Sequence, residues 1–228
     1  MRQITILTFL IMLASISKMS GQYIARLEVK KSNANSETAK TAILVSQSIL
    51  EANWTRLDSL LDDNFVYRGD GYTFSKNQYI GFMQSMRSAF SNFEMYLDNT
   101  VEEGDMVSIR FVSKAVNTGK FMGAPATKKN LEVNGIFMRK IKNGKVMEEW
   151  QTTDLLGTMT QIGGGSLFFY AVFVGGFNMK PKLPDRLPND FLNIGGNAHA
   201  FDKMTAKEKK RYLKKYRKDF QQKRRNQA

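Results

Sequence analysis

The residues best suited to chemistry lie in one predicted strand, Lys145 to Thr153, and in the aspartate that follows it. Successive side chains of a strand point to opposite faces. One face therefore carries Glu149, Gln151 and Thr153, and the other carries Trp150, Thr152 and Asp154. A buried carboxylate such as Asp154 can exchange a proton with a bound molecule, whereas the Gln151 amide can hold a carbonyl oxygen but cannot exchange a proton at neutral pH. We interpret Asp154 as the candidate acid or base and Gln151 as its polar partner.

Asp154 and the candidate pocket residues also have structural interpretations. Asp154 is well placed to cap the helix predicted after it, because a carboxylate there accepts hydrogen bonds from the first helical turn. Asn134 and Tyr67 can hydrogen-bond a ligand or satisfy buried backbone groups instead. Trp150 and Met83 are candidates for the wall of a ligand pocket, and the hydrophobic core is the alternative place for them.

The composition argues against the common catalytic and metal sites. The chain has no cysteine and one histidine, His199, which lies far from the predicted strand. Thiolate sites, a Ser-His-Asp triad and a histidine metal site are therefore not expected. The adjacent pairs Glu102-Glu103 and Glu148-Glu149 point to opposite faces of a strand, so we interpret them as solvated edge residues rather than as carboxylate dyads. We expect no metal ion and no cofactor.

Helical patterns come first and strand patterns follow, which predicts an α+β fold. The predicted helices begin at Ser36, Trp54 and Ser75, and the predicted strands cover 65–67, 93–102, 106–116, 131–141 and 145–153, before a short helix at 155–162. Ser75 and Gln78 form a capping-box pattern. Asn143-Gly144 predicts a tight hairpin turn, because both residues tolerate a positive φ.

Three stretches give the chain a resemblance to a known family: GKFMGAPATKKNLEVNGI at 119–136, MRKIKNGKVMEEW at 138–150 and DLLGTMTQIG at 154–163. Together they look like the SnoaL-like polyketide cyclases and ester cyclases of the nuclear-transport-factor-like superfamily. The resemblance covers about residues 37–163 and implies a cone-shaped, curved antiparallel sheet wrapped around the N-terminal helices. It also implies a pocket for a small apolar or carbonyl-containing ligand, and a homodimer.

The chain departs from this family where catalysis is expected. Relatives commonly carry an aspartate directly after the tryptophan, where this chain has Gln151. They often carry a pocket histidine on the preceding strand, where Phe137 stands here, and another on an early strand, where this chain has Tyr67-Arg68-Gly69. The resemblance thus implies that Phe137 lines the pocket and that Asp154 matches the second aspartate usual in the family.

The predicted domain spans residues 36–163. The segments outside it carry the predicted export signal and most of the net positive charge. Residues 1–22 have the short positive start, apolar run and small polar residues of a signal peptide, which predicts export, with a retained membrane anchor as the alternative. Residues 23–35 are predicted to be a linker, 164–200 an apolar and Pro-rich linker, and 201–228 a basic helical tail outside the domain. The net charge of +13 is concentrated here, because residues 178–228 hold 15 Lys or Arg against 5 Asp or Glu.

The basic charge of the tail indicates electrostatic partners, and the sequence as a whole leaves two functions open. Residues 203–225 favour an anionic membrane surface or an acidic partner, whereas nucleic acid is not expected to meet an exported protein. One function is a cofactor-free cyclase, isomerase or hydratase that moves a proton next to a carbonyl group. The other is a non-catalytic ligand-binding module whose tail docks to a surface.

Overall fold

A computed structural model of the chain describes residues 26–29, 36–121, 125–163 and 197–227, together with single positions between 165 and 176. The predicted signal peptide, residues 1–22, lies outside the described residues, and so does most of the predicted linkers at 23–35 and 164–200. Within the described part of the chain, no helix combines the length and the apolar composition needed to cross a bilayer.

Helices and strands follow the order predicted from the sequence. The helices are α1 (Glu37–Leu50), α2 (Trp54–Leu60), α3 (Lys76–Ala89), α4 (Leu155–Ile162), α5 (Ala198–Asp202) and α6 (Ala206–Gln227). The strands are β1 (Arg26–Val29), β2 (Leu61–Gly69), β3 (Tyr72–Ser75), β4 (Phe90–Glu103), β5 (Met106–Asn117), β6 (Asn130–Lys142) and β7 (Lys145–Thr153).

The strands form one curved seven-stranded sheet in the order β1-β4-β5-β6-β7-β2-β3. Neighbouring strands are antiparallel except for β1 with β4 and β2 with β7, which are parallel. Helix α1 packs on the inner face of the sheet, where Ala42, Val45 and Ile49 are buried against strand residues such as Ile109 and Phe137. The predicted α+β class, with a curved sheet around N-terminal helices, is confirmed.

Turn residues fix two of the hairpins. Asn143 and Gly144 both have positive φ, 54° and 71°, as the predicted tight turn between β6 and β7 requires. Asp70 and Gly71 repeat this geometry, with φ of 48° and 80°, between β2 and β3. The second turn matters for the site, because it places Asp70 at the end of β2 beside the C-terminal end of β7.

Two short strands lie where the sequence analysis predicts none. Strand β1 falls inside the segment interpreted as a linker, and pairs with β4 from Arg26 opposite Glu94 to Val29 opposite Leu97. Strand β3 occupies the four residues before α3 and pairs with β2. Each is four residues long, which is too short for a period-two pattern to stand out in the sequence.

The capping box predicted at Ser75 and Gln78 is confirmed. The Gln78 carboxamide oxygen accepts a hydrogen bond from the Ser75 backbone N–H at 3.0 Å, at the start of α3. A second such pair begins α6, where the Glu208 carboxylate accepts from the Thr205 backbone N–H at 2.8 Å. Both pairs satisfy backbone donors that a helix cannot satisfy itself.

The C-terminal helices pack on the outer surface of the cone. Phe201 of α5 and Leu213 and Tyr216 of α6 are buried, and they cover Val66, which lies on the outer face of β2 and is fully buried. The Asp202 carboxylate accepts hydrogen bonds from the Ser75 hydroxyl and, at 3.1 Å, from the Asn77 backbone N–H. It therefore ties the tail to the first turn of α3, where negative charge is favoured.

Asp202→Ala is expected to lower the free energy of unfolding by about 1–3 kcal/mol, because the buried Ser75 hydroxyl loses its acceptor and α3 loses a charged hydrogen bond. Urea unfolding measures the change. Lys203→Ala, at the adjacent exposed position, is the matched control and should leave the midpoint unchanged. Equal midpoints for the two variants would contradict the docking role of Asp202.

Candidate functional site

A cavity of about 140 Å³ opens between the inner face of the sheet and the helices. Its wall is mostly aromatic and aliphatic, and includes Phe74, Phe82, Met83, Phe90, Phe111 and Phe137. A dry apolar cavity of about 150 Å³ can hold one benzene ring. The enclosed space therefore suits a group of roughly that size, with further parts of a ligand near the mouth.

Arg139 lines the cavity and belongs to a buried ion pair. Arg139 on β6 and Glu149 on β7 are register partners, and the Arg139 Nε donates to Glu149 Oε2 at 2.6 Å. The two side chains are 2% and 0% exposed. Arg139 also donates to the Ser46 hydroxyl at 2.9 Å and to the backbone carbonyl of Ala42, and the Tyr79 hydroxyl donates to Glu149 at 3.2 Å. The charges are thus paired and hydrogen-bonded, as burial requires.

The interpretation of Glu149 as a solvated edge residue is therefore wrong. Only Glu148 of that pair lies on the outer face, where it makes an ion pair with Arg68 at 2.6 Å. Glu149 points inward because it alternates with Glu148 along β7, and Arg139 directly across the strand pair neutralises it.

Asp70 supplies a carboxylate to the wall near the open end. It is half-buried in the turn after β2, and it lines the cavity together with Gln151 and Thr153. Its carboxylate accepts hydrogen bonds from the Thr153 backbone N–H at 2.9 Å and from the Thr153 hydroxyl. These contacts to β7 hold the carboxylate in place, and each oxygen keeps a lone pair for a further partner.

Tyr67 lies beside this carboxylate on the inner face of β2. Its side chain is 2% exposed. Burial raises the pKa of Tyr67 well above its usual value, and the nearby carboxylates of Glu149 and Asp70 raise it further. The phenol therefore stays protonated and is available as a hydrogen-bond donor.

Gly69 makes room for the Tyr67 ring. A Cβ at position 69 would collide with the Tyr67 hydroxyl and would lie 2.7 Å from the backbone oxygen of Gln151 on β7. The glycine thus lets β2 approach β7 while the phenol lies across the strand.

Gly69→Ala is expected to destabilise the fold by about 1–3 kcal/mol, because the added methyl group overpacks this contact. Gly81→Ala is the control, since Gly81 is exposed in α3 and a Cβ there meets nothing within 4 Å. That substitution should stabilise the protein by about 0.5–1 kcal/mol. Both changes are measured by urea unfolding, and a shift of the same sign in the two variants would contradict the close approach at Gly69.

The structure brings four of the residues predicted from the sequence to the cavity. Tyr67, Met83, Phe137 and Gln151 all line it. They come from β2, α3, β6 and β7, which enclose the cavity from different sides.

Three of the predicted residues lie elsewhere. Asp154 is exposed, and its carboxylate accepts from the Gly157 backbone N–H at 2.8 Å as the N-cap of α4. Asn134 is exposed on the outer face of β6. Trp150 is on the outer face of β7, with the Arg68 guanidinium 5.8 Å from the ring centre. Strand alternation turns Asn134 and Trp150 away from the cavity, and the helix cap occupies Asp154.

Two polar features of the site were not among the residues predicted for it: the Arg139–Glu149 ion pair and Asp70. Arg139 and Glu149 share the inward parity of Phe137 and Gln151, so alternation alone would have found them once that face was chosen. Asp70 was not predicted for the site, because its place there depends on the parallel pairing of β2 with β7. Among the residues that the structure describes, no group of three or more His, Asp or Glu is arranged to hold a metal ion.

Comparison with protein families gives one match across this region. The sequence profile of the SnoaL-like polyketide cyclases matches residues 41–162, which include most of α1, all of α2 to α4 and the residues that line the cavity. Among curated proteins, none matches the chain.

Solved structures of similar fold cover somewhat more than half of this chain. TsrD from Streptomyces laurentii is 21% identical, with a TM-score of 0.52 over 59% of this chain and 98% of that chain. A SnoaL-like polyketide cyclase candidate from Jannaschia sp. CCS1 is 20% identical, with a TM-score of 0.52 over 59% and 97%. IdmH from Streptomyces antibioticus, a candidate polyketide cyclase, is 19% identical, with a TM-score of 0.51 over 56% and 99%. At these identities the likeness establishes the fold alone.

Proposed function

The chain belongs to the SnoaL-like polyketide cyclase family, and from that premise we propose that it binds a small carbonyl compound in the cavity and moves a proton on the carbon next to the carbonyl group. The reaction class is a cofactor-free isomerisation, cyclisation or hydration. The ligand is apolar apart from its oxygen functions, because the wall of the cavity is mostly aromatic and aliphatic.

One observation carries this proposal: the Asp70 carboxylate lines an apolar cavity beside a protonated phenol. Removing a proton next to a carbonyl group needs a base at the carbon and a donor at the oxygen, where negative charge develops. Asp70 is suited to the first role and Tyr67 to the second. The Gln151 amide adds a donor on the same wall.

The chemistry follows from these assignments. The ligand carbonyl oxygen accepts a hydrogen bond from Tyr67 while Asp70 takes a proton from the neighbouring carbon, which leaves an enolate and a protonated Asp70. The enolate carbon then attacks a second carbonyl carbon of the ligand, which closes a ring and leaves an alkoxide. If a C=C bond is conjugated with the enolate, a more distant carbon takes up the proton instead, which isomerises the ligand. Asp70 returns its proton to the product, so the protein ends the cycle unchanged.

The test uses acetophenone, a single-ring ketone that matches the size of the cavity. Its methyl protons lie next to the carbonyl group, and their exchange in D₂O is followed by proton NMR. We expect exchange faster than in buffer alone. Binding of acetophenone without faster exchange would reject catalysis and leave a binding module, while absence of binding would reject the proposed ligand class.

The non-catalytic alternative is favoured by the arrangement of the tail. The apolar side chains Leu213 and Tyr216 of α6 pack on β2. Six basic side chains of the helix are exposed: Lys207, Lys210, Arg211, Lys214, Lys215 and Lys218. On this alternative, residues 203–225 would dock electrostatically to an anionic membrane surface or an acidic partner while the cavity holds a ligand.

Partition onto phosphatidylserine vesicles tests the docking. Lys210→Glu combined with Lys214→Glu reverses exposed charges without touching the buried contacts of α6, and phosphatidylcholine vesicles control for charge-independent binding. Weaker partition of the variant onto phosphatidylserine alone would support docking. Equal partition of both proteins would reject it.

Export and dimer formation belong to the same proposal. N-terminal sequencing of secreted protein tests cleavage near residue 22, and an intact Met1 would count against it. Light scattering of the purified protein tests the homodimer.

A further inference from the structure

Ser113 is a buried hydroxyl group that faces the cavity. It lies on the inner face of β5, lines the cavity and is 4% exposed. Its oxygen is fully shielded, and among the described residues it has no hydrogen-bond partner. Buried hydroxyl groups in native proteins are nearly always hydrogen-bonded, so we expect a partner for the Ser113 hydroxyl group.

The surroundings of Ser113 offer no obvious protein or water partner. Its register neighbours are Met95 on β4 and Val133 on β6, and the next inward residues along β5 are Phe111 and Ala115. A buried water molecule needs two to four polar partners to be held. The strand neighbours of Ser113 add no polar side chain that would hold one.

Ser113 is also set apart from the polar end of the cavity at Asp70. Thr153, which holds Asp70, pairs with Gly135 on β6, and Gly135 pairs with Phe111 on β5. Ser113 is therefore two strands away from Thr153 and one inward position further along, or about 12 Å between backbones on a flat sheet. The curvature of the sheet brings the two inward-pointing side chains closer than that.

We propose that Ser113 is a second polar anchor, which hydrogen-bonds a hydroxyl or carbonyl oxygen of the ligand opposite the carbonyl group held near Asp70. This inference rests on the proposed function and narrows it. The ligand class becomes a compact apolar ring compound with oxygen functions on two sides, of which a hydroxyaryl ketone is the simplest example.

The test compares two ketones on two proteins. Acetophenone carries the carbonyl group alone, and 4-hydroxyacetophenone adds a hydroxyl group on the far side of the ring. Affinities for the wild-type protein and for Ser113→Ala are measured by isothermal titration calorimetry. We expect the wild type to bind 4-hydroxyacetophenone about tenfold more tightly than acetophenone, as a buried hydrogen bond provides, and Ser113→Ala to lose that preference while binding acetophenone as before.

Unfolding in urea keeps a folding defect from being mistaken for a binding effect. Ser113→Ala loses no protein hydrogen bond, so its midpoint should equal or exceed that of the wild type. Ser108→Ala, on the outer face of the same strand, is the matched control and should retain the ligand preference. A clear loss of stability in Ser113→Ala would show a structural partner for the hydroxyl group and overturn the inference.

The binding results separate this inference from the proposed function. Equal affinity of the wild type for the two ketones, or a preference retained in Ser113→Ala, would overturn the anchor and leave the carbonyl pocket standing. Failure of both ketones to bind the wild type would overturn the proposed ligand class and the anchor together.

Discussion

Asp70→Asn is expected to slow the exchange of the acetophenone methyl protons by about 10²–10⁴-fold, the usual contribution of a positioned acid or base. The amide has the shape of the carboxylate but cannot take up a proton at neutral pH. Its oxygen can still accept from the Thr153 backbone N–H, and its amino group can donate to the Thr153 hydroxyl, so the turn should be retained. Binding of acetophenone should therefore change much less than the exchange rate.

Asp154→Asn is the comparison that decides between the two aspartates. Asparagine is as good an N-cap as aspartate, so α4 should remain intact, and Asp154 is exposed outside the cavity. We expect this variant to exchange protons at nearly the wild-type rate. Loss of exchange in Asp154→Asn, with Asp70→Asn unaffected, would reinstate the assignment made from the sequence.

Glu149→Gln is expected to lower the free energy of unfolding by about 3–5 kcal/mol, because it leaves the Arg139 charge buried without a counter-charge. The loss is a large fraction of the stability of an ordinary domain. Urea unfolding or the thermal midpoint measures it. Glu132→Gln is the matched control, since its partner Lys114 is 3.4 Å away and both side chains are about half exposed, and it should cost no more than about 1 kcal/mol.

A double substitution tests whether the loss of stability comes from the unpaired charge of Arg139 or from the loss of the ion pair itself. Arg139→Met with Glu149→Leu removes both charges and keeps the volume, so it should be far less destabilising than Glu149→Gln alone. If the double variant is as unstable as the single one, the loss of stability in Glu149→Gln does not come from the unpaired charge of Arg139.

Local features of the sequence predicted most of the fold. The Asn143-Gly144 turn and the Ser75–Gln78 capping box depend on residues that are neighbours in the chain, so their chemistry can be read directly. The parallel pairings of β1 with β4 and of β2 with β7 join distant segments. No short pattern encodes such a pairing, so the pairing of β1 with β4 could not compensate for the short length of β1.

The site was predicted only in part, because the alternation of side chains does not tell which face of a strand points into the cavity. Alternation divided β7 into two sets of residues but did not say which set faces inward, and the chosen pair, Gln151 and Asp154, came from opposite sets. Gln151 lines the cavity, whereas Asp154 caps a helix. Asp70 enters the site through a contact with Thr153, 83 positions along the chain. Such a contact becomes visible only in three dimensions.

The buried position of Val66 under the tail has a thermodynamic consequence. Val66 and Tyr67 are consecutive residues of β2, so the tail occupies one face of the strand and the cavity occupies the other. If ligand binding shifts β2, the affinity of α5 and α6 for the outer face of β2 changes by some factor. Linkage requires that releasing the tail change the affinity for the ligand by the same factor. Protection of the tail from proteolysis is therefore a remote measure of what the cavity holds.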